Sequence, residues 1–156
     1  MYQIEVKVQF RYGHRLLAPY EGLCNNVHGE GGTAICFLEG DSLDKNGMLL
    51  DFKKAKSKIK EWVDNNWDHA YLHHKDDEIG IYLRDQGFKI FEFQTNPTAE
   101  NMAKYLFDIL RNMALPVKKV GIVESFRNSI AYFEEKEWKV YRKKNLNYSQ
   151  KKCGKD

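Results

Sequence analysis

Tyr2-Gln3-Ile4-Glu5-Val6-Lys7-Val8-Gln9-Phe10-Arg11-Tyr12 opens the chain, with an apolar or aromatic side chain at even positions and a polar or charged one at odd positions. A period of two places the even residues on one face of a β-strand and the odd residues on the other. The stretch therefore reads as a long strand with one face in a core and one in water. A second strand is expected at residues 33–38, where Ile35 and Phe37 alternate with Ala34, Cys36 and Leu38. It follows a loop containing Pro19, Gly22, Gly29, Gly31 and Gly32, and the two strands would pair as an antiparallel ribbon.

Further along, the turn Asp44-Lys45-Asn46-Gly47 precedes Asp51, which stands as N-cap to a helix carrying Phe52, Ala55, Ile59, Trp62 and Val63 at helical spacing and ending near Asn65-Asn66. A short strand follows at residues 88–93. Asn96 reads as the N-cap and Pro97 as the first residue of a second helix, whose stripe is Met102, Leu106, Ile109, Leu110 and Met113 and whose stop is Pro116. Two more strands, residues 117–125 and 130–140, flank a turn at Arg127-Asn128. The order predicts an α+β domain with an antiparallel four-stranded sheet and two helices on one face.

A chain of 156 residues with 42% hydrophobic content suits one domain with one core. Nine Tyr and nine Phe point to heavy sheet packing or to a subunit interface, and the sequence does not separate the two. Net charge is +3, with basic and acidic residues interleaved, so no whole-molecule field draws nucleic acid or membrane, and neither is an expected partner. Residues 1–141 read as the folded domain. Residues 142–156, part of a basic stretch with Lys139, Arg142, Lys143, Lys144, Lys151, Lys152 and Lys155, read as a solvated tail rather than a nucleic-acid arm. Cys24, Cys36 and Cys153 show no CxxC spacing, and no signal peptide or long apolar run is seen, so a reducing cytoplasm is the expected location.

Several residues carry chemistry. His14, past the first strand, with His28 and Glu30 in the glycine-rich loop, offers two imidazoles and a carboxylate for a three-ligand metal site with an open position; scattered surface residues would look the same. Cys24 reads as a small packed thiol or as a nucleophile or base. Asp68-His69 reads as a helix-end pair, or as a proton relay if the fold brings it to Cys24. His73 and His74 read as solvated loop residues. Glu100 falls in the first turn of a helix, where the macrodipole favours an acid. Glu124, after Val120, Ile122 and Val123, is either a buried or ligand-facing acid or a plain strand-end residue.

Taken in order, these segments resemble the 6-pyruvoyl-tetrahydropterin synthase / 6-carboxy-tetrahydropterin synthase family over residues 2–135. The family's Phe-x-Ala-Ala-His appears as Phe10-Arg11-Tyr12-Gly13-His14, and its Cys-x-x-x-His-Gly-His as Cys24-Asn25-Asn26-Val27-His28-Gly29-Glu30. Gly47-Met48-Leu49-Leu50-Asp51-Phe52, Asp68-His69-Ala70-Tyr71-Leu72, Asn96-Pro97-Thr98-Ala99-Glu100-Asn101 and Val123-Glu124-Ser125 follow. The resemblance implies a tunnelling fold, with a trimer barrel assembling to a hexamer and active sites between subunits. It places His14 and His28 on zinc-ligand positions, with Glu30 where the third His belongs. It puts Cys24, Asp68 and His69 on the proton-transfer set, Glu124 on the acid that anchors the pterin, and Thr98 and Glu100 on pocket positions.

The activity implied is that of a lyase converting 7,8-dihydroneopterin triphosphate to 6-carboxy-tetrahydropterin, on the way to deazapurines such as queuosine, or else to 6-pyruvoyl-tetrahydropterin. The alternative is a diverged pterin- or purine-binding member with weak or no lyase activity. Glu30 makes the site less positive than a third imidazole would, weakening polarisation of the substrate. Gly31 and Gly32 stand where the family normally begins an aromatic or β-branched strand, raising the entropy cost of fixing that edge.

Overall fold

The structure, a computed structural model, describes residues 1–124 and 129–135. The expected turn at Arg127-Asn128, Ser125, the final strand beyond residue 135, and the basic tail with Cys153 lie outside the described residues.

The opening alternation becomes β1 (Tyr2–His14), in which Val6, Val8, Phe10, Tyr12 and His14 are buried while Glu5, Lys7, Gln9 and Arg11 are exposed. β1 pairs antiparallel along its whole length with β2 (His28–Gly40), from Tyr2 opposite Gly40 to His14 opposite His28. β2 thus begins well before the expected residue 33, and His28 and Glu30 stand in the ladder rather than in a glycine-rich loop. Glycines with low strand propensity hid this start, but β1 supplies an edge to pair with. Gly32 has a packing reason of its own: a Cβ there would lie 2.5 Å from Phe10 Cζ, so only glycine admits the Phe10 ring.

Asp51 caps α1 (Phe52–Asn66) as expected, its side chain accepting from the Lys53 and Lys54 N–H groups. The chain continues through β3 (Ala70–His74), α2 (Glu78–Asp85), β4 (Ile90–Phe93), α3 (Ala99–Asn112), β5 (Val117–Glu124) and β6 (Ser129–Glu134). Among the described residues the strands form one six-stranded sheet in the order β4-β3-β1-β2-β5-β6. β3 runs parallel to both β1 and β4. The expectation of four antiparallel strands is corrected to a mixed sheet. The crossover through α1 lets β3 lie parallel beside β1.

One core joins Val6, Val8, Phe10, Ala34, Cys36 and Leu38 to Ala55, Ile59 and Val63 of α1 and to Met102, Leu106 and Leu110 of α3. Trp67 is fully buried among the rings of Phe10, Trp62, Phe91 and Phe93, so much of the aromatic excess is core packing. Burying one such large side chain is worth about 1.5–3 kcal/mol.

β3 corrects a second expectation. Ala70 and Leu72 join the core, whereas His73, read as a solvated loop residue, is fully buried on the alternate face against Gly80 of α2. Five residues, two of them histidines, were too short and polar for the alternation to register. On the same side Asp77, also fully buried, accepts from Arg15 at 2.9 and 2.6 Å, from the Tyr71 hydroxyl at 2.9 Å and from the Ile79 N–H at 3.1 Å. Burial works to raise the Asp77 carboxyl, but the bonds from Arg15, Tyr71 and Ile79 outweigh it and hold the group below the ordinary carboxylate range. No described helix is long and apolar enough to cross a membrane.

Gly-to-Ala in a helix interior ordinarily stabilises by about 1 kcal/mol. At Gly80 the new Cβ would lie 2.1 Å from His73 Nδ1. Gly80→Ala is therefore expected to destabilise by about 1–3 kcal/mol in urea unfolding, and a raised midpoint would show that the imidazole yields. Asp77, with its folded value lowered, contributes fully above about pH 4 and loses that contribution as pH falls through the folded value. The urea-midpoint gap between the unsubstituted protein and Asp77→Asn should be widest at neutral pH and close on acidification. A gap independent of pH would deny the carboxylate this role.

Candidate active site

Strand register builds the site. His14 is opposite His28, and Tyr12, two residues back on the same face, is opposite Glu30. Phe10 is opposite Gly32, which pairs on its other side with Glu124, bringing that carboxylate to the same face.

The two imidazoles are oriented by backbone carbonyls. His14 Nδ1 lies 3.0 Å from the Pro97 carbonyl, and His28 Nδ1 lies 2.8 Å from that of Asn26. A carbonyl only accepts, so each Nδ1 carries the proton and each Nε2 presents a lone pair. The two Nε2 atoms are 3.0 Å apart. Two lone pairs at that separation repel each other unless a metal ion lies between them or one ring, protonated, donates to the other. Glu30 Oε1 is 3.8 Å from His28 Nε2, and its buried Oε2 has no hydrogen-bond partner. One ligand atom from each of the three residues falls within 4.8 Å of the others. Two neutral imidazoles fixed in tautomer by carbonyls, plus one carboxylate, are the donor set of a divalent metal ion, and the residues fit it. Burial, with a smaller push from His28 and against the Pro97 bond, pulls the His14 imidazole down to about 4, keeping it neutral for such an ion.

His14 opens onto a cavity of ≈ 300 Å³ whose lining includes Cys24, Thr98, Glu100 and Glu124. Cys24 sits in a short 3-10 turn (Leu23–Asn25), held by the Leu16 N–H donating to the Cys24 carbonyl at 2.7 Å and by Asn25 Nδ2 donating to the Leu16 carbonyl at 2.9 Å. The expected cap of α3 is corrected: Thr98, not Asn96, is the N-cap, accepting from the Asn101 N–H. Asn96 instead clamps Leu17, accepting from its N–H at 2.8 Å and donating to its carbonyl at 2.9 Å. That clamp fastens the segment leading to Cys24 onto the start of α3. Glu100 is exposed in the first turn of α3, and Glu124 is half-buried at the end of β5.

Asp68 and His69 lie elsewhere on the chain. His69 lines a separate recess of ≈ 410 Å³ with Arg11, Gly13, Tyr71, Phe88 and Lys89. Its Nδ1 is 2.7 Å from Asp68 Oδ2, so Nδ1 keeps its proton and donates it in a hydrogen bond to the carboxylate, leaving Nε2 free to act. Both residues are tied to β1: the Arg11 N–H donates to Asp68 Oδ1 at 2.8 Å, and the His69 N–H donates to the Arg11 carbonyl at 2.6 Å. His69 is held at φ 58, a left-handed conformation that is costly for a histidine and marks a constrained position. Burial works to raise the Asp68 carboxyl, but the Arg11 N–H, His69 and Lys89 hold it below the ordinary range. The His69 side chain is 78% exposed. One chain thus lines one cavity with His14, Cys24, Thr98, Glu100 and Glu124, His14 also clustering with His28 and Glu30, and sets His69, bonded to Asp68, on another.

Tyr12 was missed as a site residue. Its signal was present, since the same alternation that buries Phe10 carries Tyr12 to the face of His14. Its phenol is raised by burial first and then by the charges of Glu124, Glu30 and Cys24, which places it among the residues of this site.

Residues 3–135 match the family described as 6-pyruvoyl tetrahydropterin synthase. A Rickettsia felis protein named 6-carboxy-5,6,7,8-tetrahydropterin synthase is 36% identical over 117 residues, covering 74% of this chain and 81% of that protein. The Haemophilus influenzae protein of the same name is 29% identical over 119 residues, covering 72% of this chain and 84% of its own. Among solved structures, the Caenorhabditis elegans 6-pyruvoyl tetrahydropterin synthase superposes with a TM-score of 0.62 at 26% identity, covering 86% of this chain and 95% of that one. An uncharacterized Wolinella succinogenes protein gives a TM-score of 0.72 at 20% identity, covering 86% and 98%, a likeness of fold alone. The α+β architecture is accordingly of the tunnelling type, and with a match running from β1 to the last described strand, the chain belongs to the 6-pyruvoyl/6-carboxy-tetrahydropterin synthase family.

Proposed function

We propose that the protein is a cytoplasmic, zinc-dependent lyase that converts 7,8-dihydroneopterin triphosphate to 6-carboxy-tetrahydropterin and works as a trimer paired into a hexamer. The observation that carries this reading is the pair of imidazole Nε2 atoms facing each other at 3.0 Å beside Glu30, one of them on His14, which lines the same cavity as Cys24 and Glu124. The names of the Rickettsia felis and Haemophilus influenzae relatives favour the 6-carboxy over the 6-pyruvoyl product.

The chain's residues divide the work. Glu124 accepts from the amino and ring N–H groups of the pterin, which orients a flat ring and rejects one lacking that donor edge. Thr98 and Glu100 border the same pocket. His14, His28 and Glu30 would hold the zinc, which when bound supplies Lewis acidity to the oxygens of the substrate side chain. Cys24, as thiolate, takes the proton from the adjacent carbon. Asp68, kept ionised by its hydrogen bonds, holds His69 with Nε2 outward to relay that proton. Because Cys24 and His69 open on different cavities of one chain, the proton-transfer set is completed across a subunit boundary, where the exposed His69 reaches a neighbouring copy's Cys24.

Cys24→Ala and His69→Ala should each lower kcat by about 10²–10⁴-fold. Oligomers reassembled from a mixture of the two inactive variants should regain part of the activity, since some boundaries then pair an intact Cys24 with an intact His69. No regain in proven mixed oligomers would refute the shared site. Dialysed protein should bind about one zinc per chain. A protein that binds no divalent metal and turns over no dihydroneopterin triphosphate under any metal supplementation would leave only a pterin binder resting on Glu124 and Thr98.

A further inference from the structure

Tyr12 and Glu30 face each other directly in the β1–β2 ladder, on the face that carries His14 and His28. Both are more than nine-tenths buried, with exposures of 4% and 9%. Each leaves one buried atom without a hydrogen-bond partner: the Tyr12 hydroxyl and Glu30 Oε2. One is a donor and the other can only accept, so the two unmet needs are complementary. The Tyr12 ring is pinned, stacked on Phe10 at 5.3 Å and meeting the His14 ring edge-on at 5.1 Å, which leaves the hydroxyl no route to water. Buried polar atoms left unpaired are rare enough in folded proteins to call for a ligand or a rearranged partner. Both positions are among those where the chain departs from the patterns it resembles, with tyrosine in place of alanine and glutamate in place of histidine.

An imidazole meets a metal through one nitrogen, whereas a carboxylate brings a second oxygen that must itself be satisfied. We infer that Tyr12 is the positioning residue for the substituted metal ligand: with a cation held by His14, His28 and Glu30 Oε1, the Tyr12 hydroxyl donates to Glu30 Oε2 and fixes the carboxylate as a single-oxygen ligand. The tyrosine and the glutamate are then one coupled substitution. This inference rests on the metal reading above and adds to it a residue that touches neither zinc nor substrate.

The test is zinc affinity, measured by chelator competition without substrate, for the unsubstituted protein, Tyr12→Phe, Glu30→His and the double variant. Tyr12→Phe should weaken zinc binding about 10-fold or more when Glu30 is present. It should change little in the Glu30→His background, where no second oxygen remains. Metal-free Tyr12→Phe should melt no lower than the unsubstituted protein, because it removes an unpartnered hydroxyl. Equal losses in both backgrounds, or no loss beside Glu30, overturn the inference while leaving the metal site standing. Absence of zinc binding by the unsubstituted protein overturns both. Should Glu30→His fail to fold, cobalt-loaded protein decides. Visible bands that weaken in Tyr12→Phe, as the carboxylate turns to two-oxygen binding, support the pairing, and an unchanged spectrum rejects it.

Discussion

The backbone hydrogen bonds between β1 and β2 set the register on which every feature of the site depends. With thirteen residues in each strand and no break in the pairing, a slip of one position would turn His28 and Glu30 to the opposite face from His14. The hydrophobic pattern guards against that slip, because Ala34, Cys36 and Leu38, on the same face of β2 as His28 and Glu30, would leave the core at the same time. The candidate metal ligands therefore inherit their placement from ordinary core packing. Phe10 lying over Gly32 locks the ladder one row below Tyr12 and Glu30.

Around this rigid pair, the rest of the site is fastened by single polar contacts. Asn96 holds Leu17 by both its N–H and its carbonyl, Pro97 accepts from His14, and Thr98 caps α3. Three consecutive residues thus tie the Cys24 segment, a candidate metal ligand and a pocket-lining helix together. Asparagine at position 96 supplies a donor and an acceptor on one short side chain, which a carboxylate in its place would not.

Long, strongly patterned elements were legible in the sequence. The alternation of β1, the Asp51 cap and the stripe of α3 follow from side-chain period and capping chemistry. β3 and α2 were not legible, because five residues with two histidines and eight residues with an interior glycine give too little pattern to read. His73 illustrates the reason: its burial depends on Gly80 arriving from another element, and no local propensity reports that. His14, His28 and Glu30 could be named from their order along the chain, but the opposed lone pairs that argue for a metal emerge only from the tautomers set by Pro97 and Asn26. Tyr12 was visible only as a strand residue until its partner across the ladder was known.

Arg11 is the hinge point of a wider economy. Its main chain grips Asp68 and His69 from one edge of β1, while three residues on, the same strand delivers His14 to its own cavity. In a ring of identical subunits sharing their sites as proposed, each copy of β1 serves two reaction centres, the metal of one and the proton relay of the next. A backbone disturbance at Arg11 would then propagate around the ring, and a single defective subunit would impair its neighbour as well as itself.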